Sequence, residues 1–205
     1  MQNLSAESKP RSKSDLLQLS LTLFIIAAVM ALSVSLVNFI TAPKIEILNK
    51  EKTDKALQEV FAEASAFEEI EYSKPTVEAT DGKKVKKVTV DGVWMAKKDG
   101  ENIGVCVRVN PQGYGGKIQT IVGVDLEGEI ISSKIVSMSE TSGIGTKIQN
   151  EDFLSQFIGQ KGNLADSESI ELISGATKSS KAYLCGMNAA LTVASECIQE
   201  VTDVE

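Results

Sequence analysis

The sequence predicts an α+β protein in which one apolar helix crosses a membrane and precedes a single domain of antiparallel hairpins with a long C-terminal helix. Three observations carry this reading. Residues 16–40 contain no charge, the middle of the chain alternates apolar and polar residues between glycine turns, and the last stretch repeats apolar residues at helical spacing. At 205 residues the chain has room for one domain of ordinary size and an appendage, and too little for two full-sized domains.

The first element is the run LLQLSLTLFIIAAVMALSVSLVNFI, with no charged residue between Asp15 and Lys44. At about 1.5 Å of rise per residue it reaches roughly 37 Å, enough to cross an apolar layer of about 30 Å with some tilt. Gln18, Ser20, Thr22, Ser33, Ser35 and Asn38 can bond back to the helix or face neighbouring helices in the bilayer. A cleaved signal peptide is the alternative. The run is longer than the roughly 7–15 residues of a signal-peptide core and no clear A-x-A site follows, which favours a retained anchor behind a short tail over 1–15. Lys9, Arg11 and Lys13 precede the span and Lys44, Lys50, Lys52 and Lys55 follow it, so the positive-inside count leaves the orientation open.

Residues 41–205 read as one domain. After Pro43, Leu57, Val60, Phe61 and Ala64 recur at helical spacing among Lys and Glu, which predicts a helix that leaves the membrane and packs on the domain. Residues 85–95 and 103–109 are β-rich around KKDGEN, and 118–125 and 130–136 flank LEGE; both pairs read as hairpins. Lys83, Lys84, Lys86 and Lys87 fit a solvated strand edge. A short helix over 152–158 would present Phe153, Leu154, Phe157 and Ile158 on one face and end at Gly159 and Gly162. In the last helix, 178–199, a seam of Tyr183, Met187, Ala190, Ala194, Cys197 and Val201 forms a core stripe.

Composition excludes several chemistries. Twenty-one Lys and Arg against 28 Asp and Glu give a formal net charge of -7, which argues against a nucleic-acid partner. With no histidine, Ser/His/Asp triads, His-ligated haem and HExxH zinc sites are unavailable. Cys106, Cys185 and Cys197 offer no CxxC and no four-ligand set, so neither an iron-sulfur cluster nor a structural zinc can be built within the chain. Cys185 and Cys197 would lie roughly 18 Å apart along one helix and cannot pair within it, and all three read as buried, inert thiols.

Chemistry concentrates in Leu172-Ile-Ser-Gly-Ala-Thr-Lys-Ser-Ser180, which reads as a strand, a tight turn and a helix start. Ser174 and Gly175 suit the turn, while Thr177, Ser179 and Ser180 can cap free backbone N–H groups. A helix start with small residues also suits an anion, because several N–H donors and the positive end of the dipole point the same way; taken alone, the pattern is most often only a cap. Two further glycine loops, Gly113-Tyr-Gly-Gly116 and Glu140-Thr-Ser-Gly-Ile-Gly145, are each ordinary turn material. Three such loops in a small domain without an acid/base triad suit a planar cofactor approached closely by backbone.

Gly-Tyr-Gly-Gly, then Glu-Thr-x-Gly-x-Gly-x-Lys-Ile, then Ser-Gly-Ala-Thr-x-Ser-Ser, behind a single N-terminal span, resembles the G subunit of the Rnf ion-translocating electron transport complex, over essentially the whole chain. The C subunit of the sodium-translocating NADH:quinone reductase is the close relative and the alternative assignment; its members tend to be longer. The resemblance implies a flavoprotein in which Thr177 carries FMN through a phosphoester bond, attached by a magnesium-dependent flavin transferase that draws FMN from FAD. Ser174, Gly175, Ala176, Ser179 and Ser180 would complete that motif. Glu140, Thr141, Gly143, Ile144, Gly145 and Lys147 would form a loop near the flavin, with Gly113, Tyr114 and the rest of 113–116 on the approach to it. The resemblance also implies an N-terminus in the cytoplasm, a domain outside the cell membrane and partners among the other subunits of the complex. The family often has Pro after Glu-Thr and Asp before the apolar pair of its last motif; Ser142 and Glu171 stand there in this chain. The reading of another class is a membrane-anchored assembly module that holds no flavin.

Overall fold

The computed structural model describes residues 13–167 and 169–202, without the side chains of 13–16, 166, 201 and 202. Most of the expected tail over 1–15, and the Val201 side chain, lie outside the described residues. The chain divides into two compact units, Met1–Lys50 and Glu51–Glu205.

The described residues of the first unit, from Lys13 on, are helical. Helix α1 (Lys13–Val60) begins in it and continues through Pro43, whose missing N–H leaves the carbonyl of Phe39 without its usual partner. Its large apolar side chains between residues 17 and 48, Leu17, Phe24 and Phe39 among them, are exposed, and the helix is long and apolar enough to span a membrane. The hydroxyls of Thr22, Ser33 and Thr41 each donate to the carbonyl four residues back, at 2.8, 2.8 and 2.7 Å, which hides polar groups that lipid would penalise.

The second unit contains a six-stranded antiparallel sheet: β1 (Ala66–Ile70), β2 (Thr76–Thr80), β3 (Val85–Lys98), β4 (Glu101–Asn110), β5 (Ile118–Asp125) and β6 (Ile130–Met138). Their order is β1-β3-β4-β5-β6, with β2 beside β3. The two expected hairpins are β3–β4 and β5–β6. The first turns at Asp99 and Gly100, both left-handed at φ 53° and 92°, the conformation a two-residue hairpin turn requires. The residue pattern does not predict strands β1 and β2. They divide one edge of β3 between them, β2 facing Val85–Thr89 and β1 facing Val93–Lys97.

Alternation along β3 and β4 sends side chains to two cores. On one face Val93, Met95, Val105, Val107 and Val109 pack with helix α3 (Thr177–Thr202) through Tyr183, Met187, Ala190, Ala194 and Cys197, as the seam predicts. On the other face Trp94, Cys106 and Ile121 meet Leu57 and Val60 at the end of α1 and Phe61 and Ala64 just after it. Gly123 makes that second contact possible: a Cβ there would overlap Val60 Cγ1 and press on the Phe61 ring.

The short helix predicted over 152–158 is one turn of α-helix, α2 (Glu151–Leu154), followed by a 3₁₀ turn over Ser155–Phe157 and stopped at Gly159, with φ 74°. Phe153 and Phe157 are buried against Tyr183, with ring centroids 5.6 and 5.1 Å from it. Ile158 departs from the expected face and is exposed, because the tighter winding turns it outward. Of the lysine cluster, Lys83, Lys84 and Lys87 are exposed and Lys86 pairs with Asp81. All three cysteines are free and buried; burial pushes the thiols of Cys185 and Cys197 up to about 11 and that of Cys106 higher still.

Candidate functional site

Strands β4 and β6 run in the same direction, because β5 lies antiparallel between them, so the loops that follow them emerge at one end of the sheet. The start of α3 arrives at the same place. Together they line an open cleft of about 410 Å³: Tyr114 from the first loop, Glu140, Thr141, Ile144 and Gly145 from the second, and Gly175, Ala176, Lys178 and Ser179 from the third. These are segments that the sequence singled out separately.

The α3 start departs from expectation in two ways. No strand forms ahead of the motif. The backbone finds side-chain partners instead, Glu171 N–H donating to Gln156 Oε1 at 2.7 Å and Ile173 N–H to Ser180 Oγ at 3.2 Å, so no neighbouring strand is needed. Of the three hydroxyls expected to cap free N–H groups, that of Ser180 does so, for Ile173 ahead of the helix, while Thr177 and Ser179 do not cap the first turn. The residue before its first turn is Ala176, which has no side-chain acceptor, and among the described residues the N–H groups of Thr177, Lys178 and Ser179 have no protein partner. The first protein-bonded amide of the turn is that of Ser180, which donates to the Ala176 carbonyl at 2.9 Å. Gly175 turns the chain into the helix with φ 80°, a conformation suited to glycine.

Thr177 is exposed at the first helical position, between the cleft-lining Ala176 and Lys178. Ser174 is exposed just ahead of it. Ser180 is fully buried behind the motif and donates to the Ala176 carbonyl at 3.1 Å, so it shapes the turn from within. In the second loop the carbonyl of Thr141 accepts from Ile144, Gly145 and Thr146 at 3.2, 2.9 and 3.3 Å, and Gly143, at φ 75°, donates to Thr146 Oγ1 at 2.9 Å. Lys147 faces a neighbouring cavity with Leu172 and Ile173 and does not line the cleft.

The glycine loops are tight for a reason the sequence did not reveal. A Cβ on Gly113 would strike Glu140 Oε1, one on Gly145 would meet Glu140 Oε2 at 2.6 Å, and one on Gly116 would meet Ser139 Cβ at 2.8 Å. The close approach at these glycines is therefore by Ser139 and Glu140 of the protein itself. Sequence reasoning also passed over Lys178, which lines the cleft and holds its ammonium 5.1 Å from the Tyr114 ring centroid. Its signal was a cation beside Thr177 at a helix start where an anion was expected.

The arrangement suits a phosphorylated aromatic group. An anion would meet three unpartnered N–H donors, the positive end of a 26-residue helix and the Lys178 ammonium, while the exposed Tyr114 and Ile144 offer apolar surface alongside. Residues 113–192, which include all three loops, match the FMN-binding domain family. Over 186 residues the chain is 32% identical to the G subunit of the Na(+)-translocating ferredoxin:NAD(+) oxidoreductase complex of Acetobacterium woodii, covering 86% of this chain and 90% of that one. It is 28% identical over 181 residues to the G subunit of the ion-translocating oxidoreductase complex of Methanosarcina acetivorans, covering 85% and 92%. The solved structure of Shewanella oneidensis NqrC is a distant likeness, with a TM-score of 0.45 at 16% identity over 69% of this chain and 74% of that one. At the identity and coverage shared with the Acetobacterium protein, the chain belongs to the family of G subunits of ion-translocating oxidoreductase complexes.

Proposed function

We propose that this chain relays electrons through FMN held covalently on Thr177, as the electron-transfer subunit of a membrane complex that couples ferredoxin and NAD chemistry to ion movement. The family and the FMN-binding domain support the electron-transfer role. The observation that carries the covalent reading is the exposed Thr177 at the first position of α3, itself outside the cleft lining but flanked by the cleft-lining Ala176 and Lys178, in a turn whose first three N–H groups have no protein partner among the described residues. When bound, FMN supplies one-electron chemistry, and the chain holds the ring, excludes water around it and adjusts its potential through hydrogen bonds and burial.

Attachment needs outside help, because the described residues place no base beside Thr177. A flavin transferase would bring FAD; the Thr177 Oγ bonds to the phosphorus of the FMN half as the pyrophosphate bond breaks, AMP leaves and the hydroxyl proton passes to solvent. The resulting diester keeps one negative charge for the N–H groups and Lys178 to meet. Among the other residues assigned to the site, Gly175, Ala176, Ser179, Tyr114, Glu140, Thr141, Ile144 and Gly145 border the cleft, Ser180, Gly113 and Gly143 shape its loops through hydrogen bonds, and Ser174 and Lys147 lie outside its lining. We assign residues 16–40 to the bilayer, the N-terminus to the cytoplasm and the flavin domain to the outside. A single span without charge between Asp15 and Lys44 offers no ion path, so translocation falls to the other subunits of the complex.

The test is mass spectrometry of the full chain from cells that make the transferase. The peptide containing Thr177 should be heavier by FMN less one water, and the band should fluoresce after denaturing electrophoresis. Thr177→Ala should abolish both signals and leave the melting temperature unchanged, since an exposed side chain is lost. Flavin that survives this substitution would move the attachment to Ser174, Ser179 or Ser180, of which Ser174 is the exposed one, and an unmodified colourless chain would favour the assembly-module reading.

A further inference from the structure

We propose that Glu140 is a positioning residue that assembles the flavin cleft before flavin arrives, and so sets how readily Thr177 accepts it; the inference rests on the flavin reading above. Its carboxylate joins the three loops. Oε1 accepts the N–H groups of Tyr114 at 2.9 Å and Gly115 at 3.1 Å, and Oε2 accepts the hydroxyl of Ser179 at 2.5 Å. Ser179 is only 2% exposed and stands two residues from Thr177, in the same helical turn. An ionised carboxylate has no donor and about four acceptor sites; with three filled by protein groups, it has little left for a ligand. The glycines point the same way, since side chains at 113 and 145 would occupy the space of this carboxylate.

The consequence is an order of events. The 113–116 loop has one backbone bond within itself, from Gly113 N–H to the Gly116 carbonyl at 2.7 Å, and its Tyr114 and Gly115 amides depend on Glu140. The α3 start has no side-chain cap and depends on Glu140 through Ser179. Without the carboxylate the cleft loses the hydrogen-bonded tie between its two walls and keeps only the looser contact of the Lys178 ammonium with the Tyr114 ring, and Thr177 loses the fixed setting in which a transferase could present FAD to it.

The experiment uses the full chain in detergent, without flavin, with amide hydrogen exchange read at Tyr114 and Gly115 and with flavin loading followed by mass after addition of transferase, FAD and magnesium. In Glu140→Ala the two amides should exchange roughly tenfold faster or more, while Val107 and Val122 in the sheet stay protected. Loading of Thr177 should slow by roughly tenfold. Glu140→Gln should restore both properties, because its Oε1 still accepts from the loop and its Nε2 can donate to Ser179 Oγ. Unchanged exchange and loading in Glu140→Ala overturns the proposal, and so does Glu140→Gln failing as badly as Glu140→Ala, which would assign the role to charge rather than to positioning. Should Glu140→Ala lose protection in the sheet as well, Ser179→Ala takes its place under the same criterion, slower loading with an intact sheet supporting the proposal and normal loading overturning it. The exchange result stands even if native Thr177 carries no flavin, so failure of the flavin reading and failure of this one are separable.

Discussion

The middle and the start of α3 face the same sheet under different physical regimes. From Ala182 to Ala194 every residue except the exposed Thr192 is buried, and the helix packs among valines, isoleucines and aromatic rings, so each buried side chain has several neighbours and the loss of one contact leaves the others. From Thr177 to Ser179 the N–H groups have no protein partner among the described residues, and the turn is tied to the facing loops by Glu140. Dense packing makes the middle of the helix a fixed platform. The same rigidity lets its first turn, beside the cleft, keep N–H donors that have no protein partner among the described residues without fraying.

The largest effect that separates the two regions belongs to the platform. Phe157→Ala removes a fully buried ring whose centroid lies 5.1 Å from that of Tyr183 and 5.3 Å from that of Phe153, and should cost about 3–5 kcal/mol in denaturant unfolding of the full chain. Its flavin loading, measured well below the lowered melting temperature, should stay close to normal. Loading lost in proportion to stability would mean that the two regions are one cooperative unit.

The opposite face gives a smaller effect. Gly123→Ala places a methyl against Val60 and the Phe61 ring, where the end of α1 meets the sheet, and overpacking there should cost roughly 1–3 kcal/mol. Comparison of Gly123→Ala with Gly145→Ala sharpens the contrast. The second methyl meets the Glu140 side chain and Ser179 Oγ, so it should lower flavin loading more than it lowers the melting temperature.

How far these regions could be read in advance follows the same division. The β3–β4 hairpin was legible because Asp99 and Gly100 are local turn chemistry, and the α3 seam because helical spacing repeats from Tyr183 to Cys197. Strand β1 was not, because AFEEI shows no alternation and becomes a strand only through its partners on β3. The strand expected before Ser174 failed for the converse reason. Ile170, Leu172 and Ile173 are apolar enough, but Gln156 and Ser180 satisfy the neighbouring backbone. The site was legible as three motifs, while the bonds joining them span 25, 26 and 39 residues and could emerge only from the folded chain.

Acid provides the smallest and most local test, read at the buried carboxylate of the β2–β3 turn. Asp81 is only 7% exposed, accepts the N–H groups of Lys83 and Lys84 at 3.0 and 2.9 Å, and pairs with Lys86 at 2.6 Å. Burial opposes its charge, but the Lys86 ammonium and the two N–H groups outweigh that penalty and hold its carboxyl down at about 2, against an ordinary 3.8. Between those values the unfolded chain binds the proton more readily than the folded one, so stability rises with pH across the window. The contribution is complete above about pH 4 and lost as pH falls through about 2. Asp81→Asn should cost about 1–2 kcal/mol at neutral pH and flatten that part of the acid-unfolding profile. Because Asp81 lies in the β2–β3 turn and not among the cleft loops, flavin loading at neutral pH should be unaffected. A loading defect in Asp81→Asn would show that the cleft is sensitive to the far edge of the sheet, and the separation of platform from site would have to be abandoned.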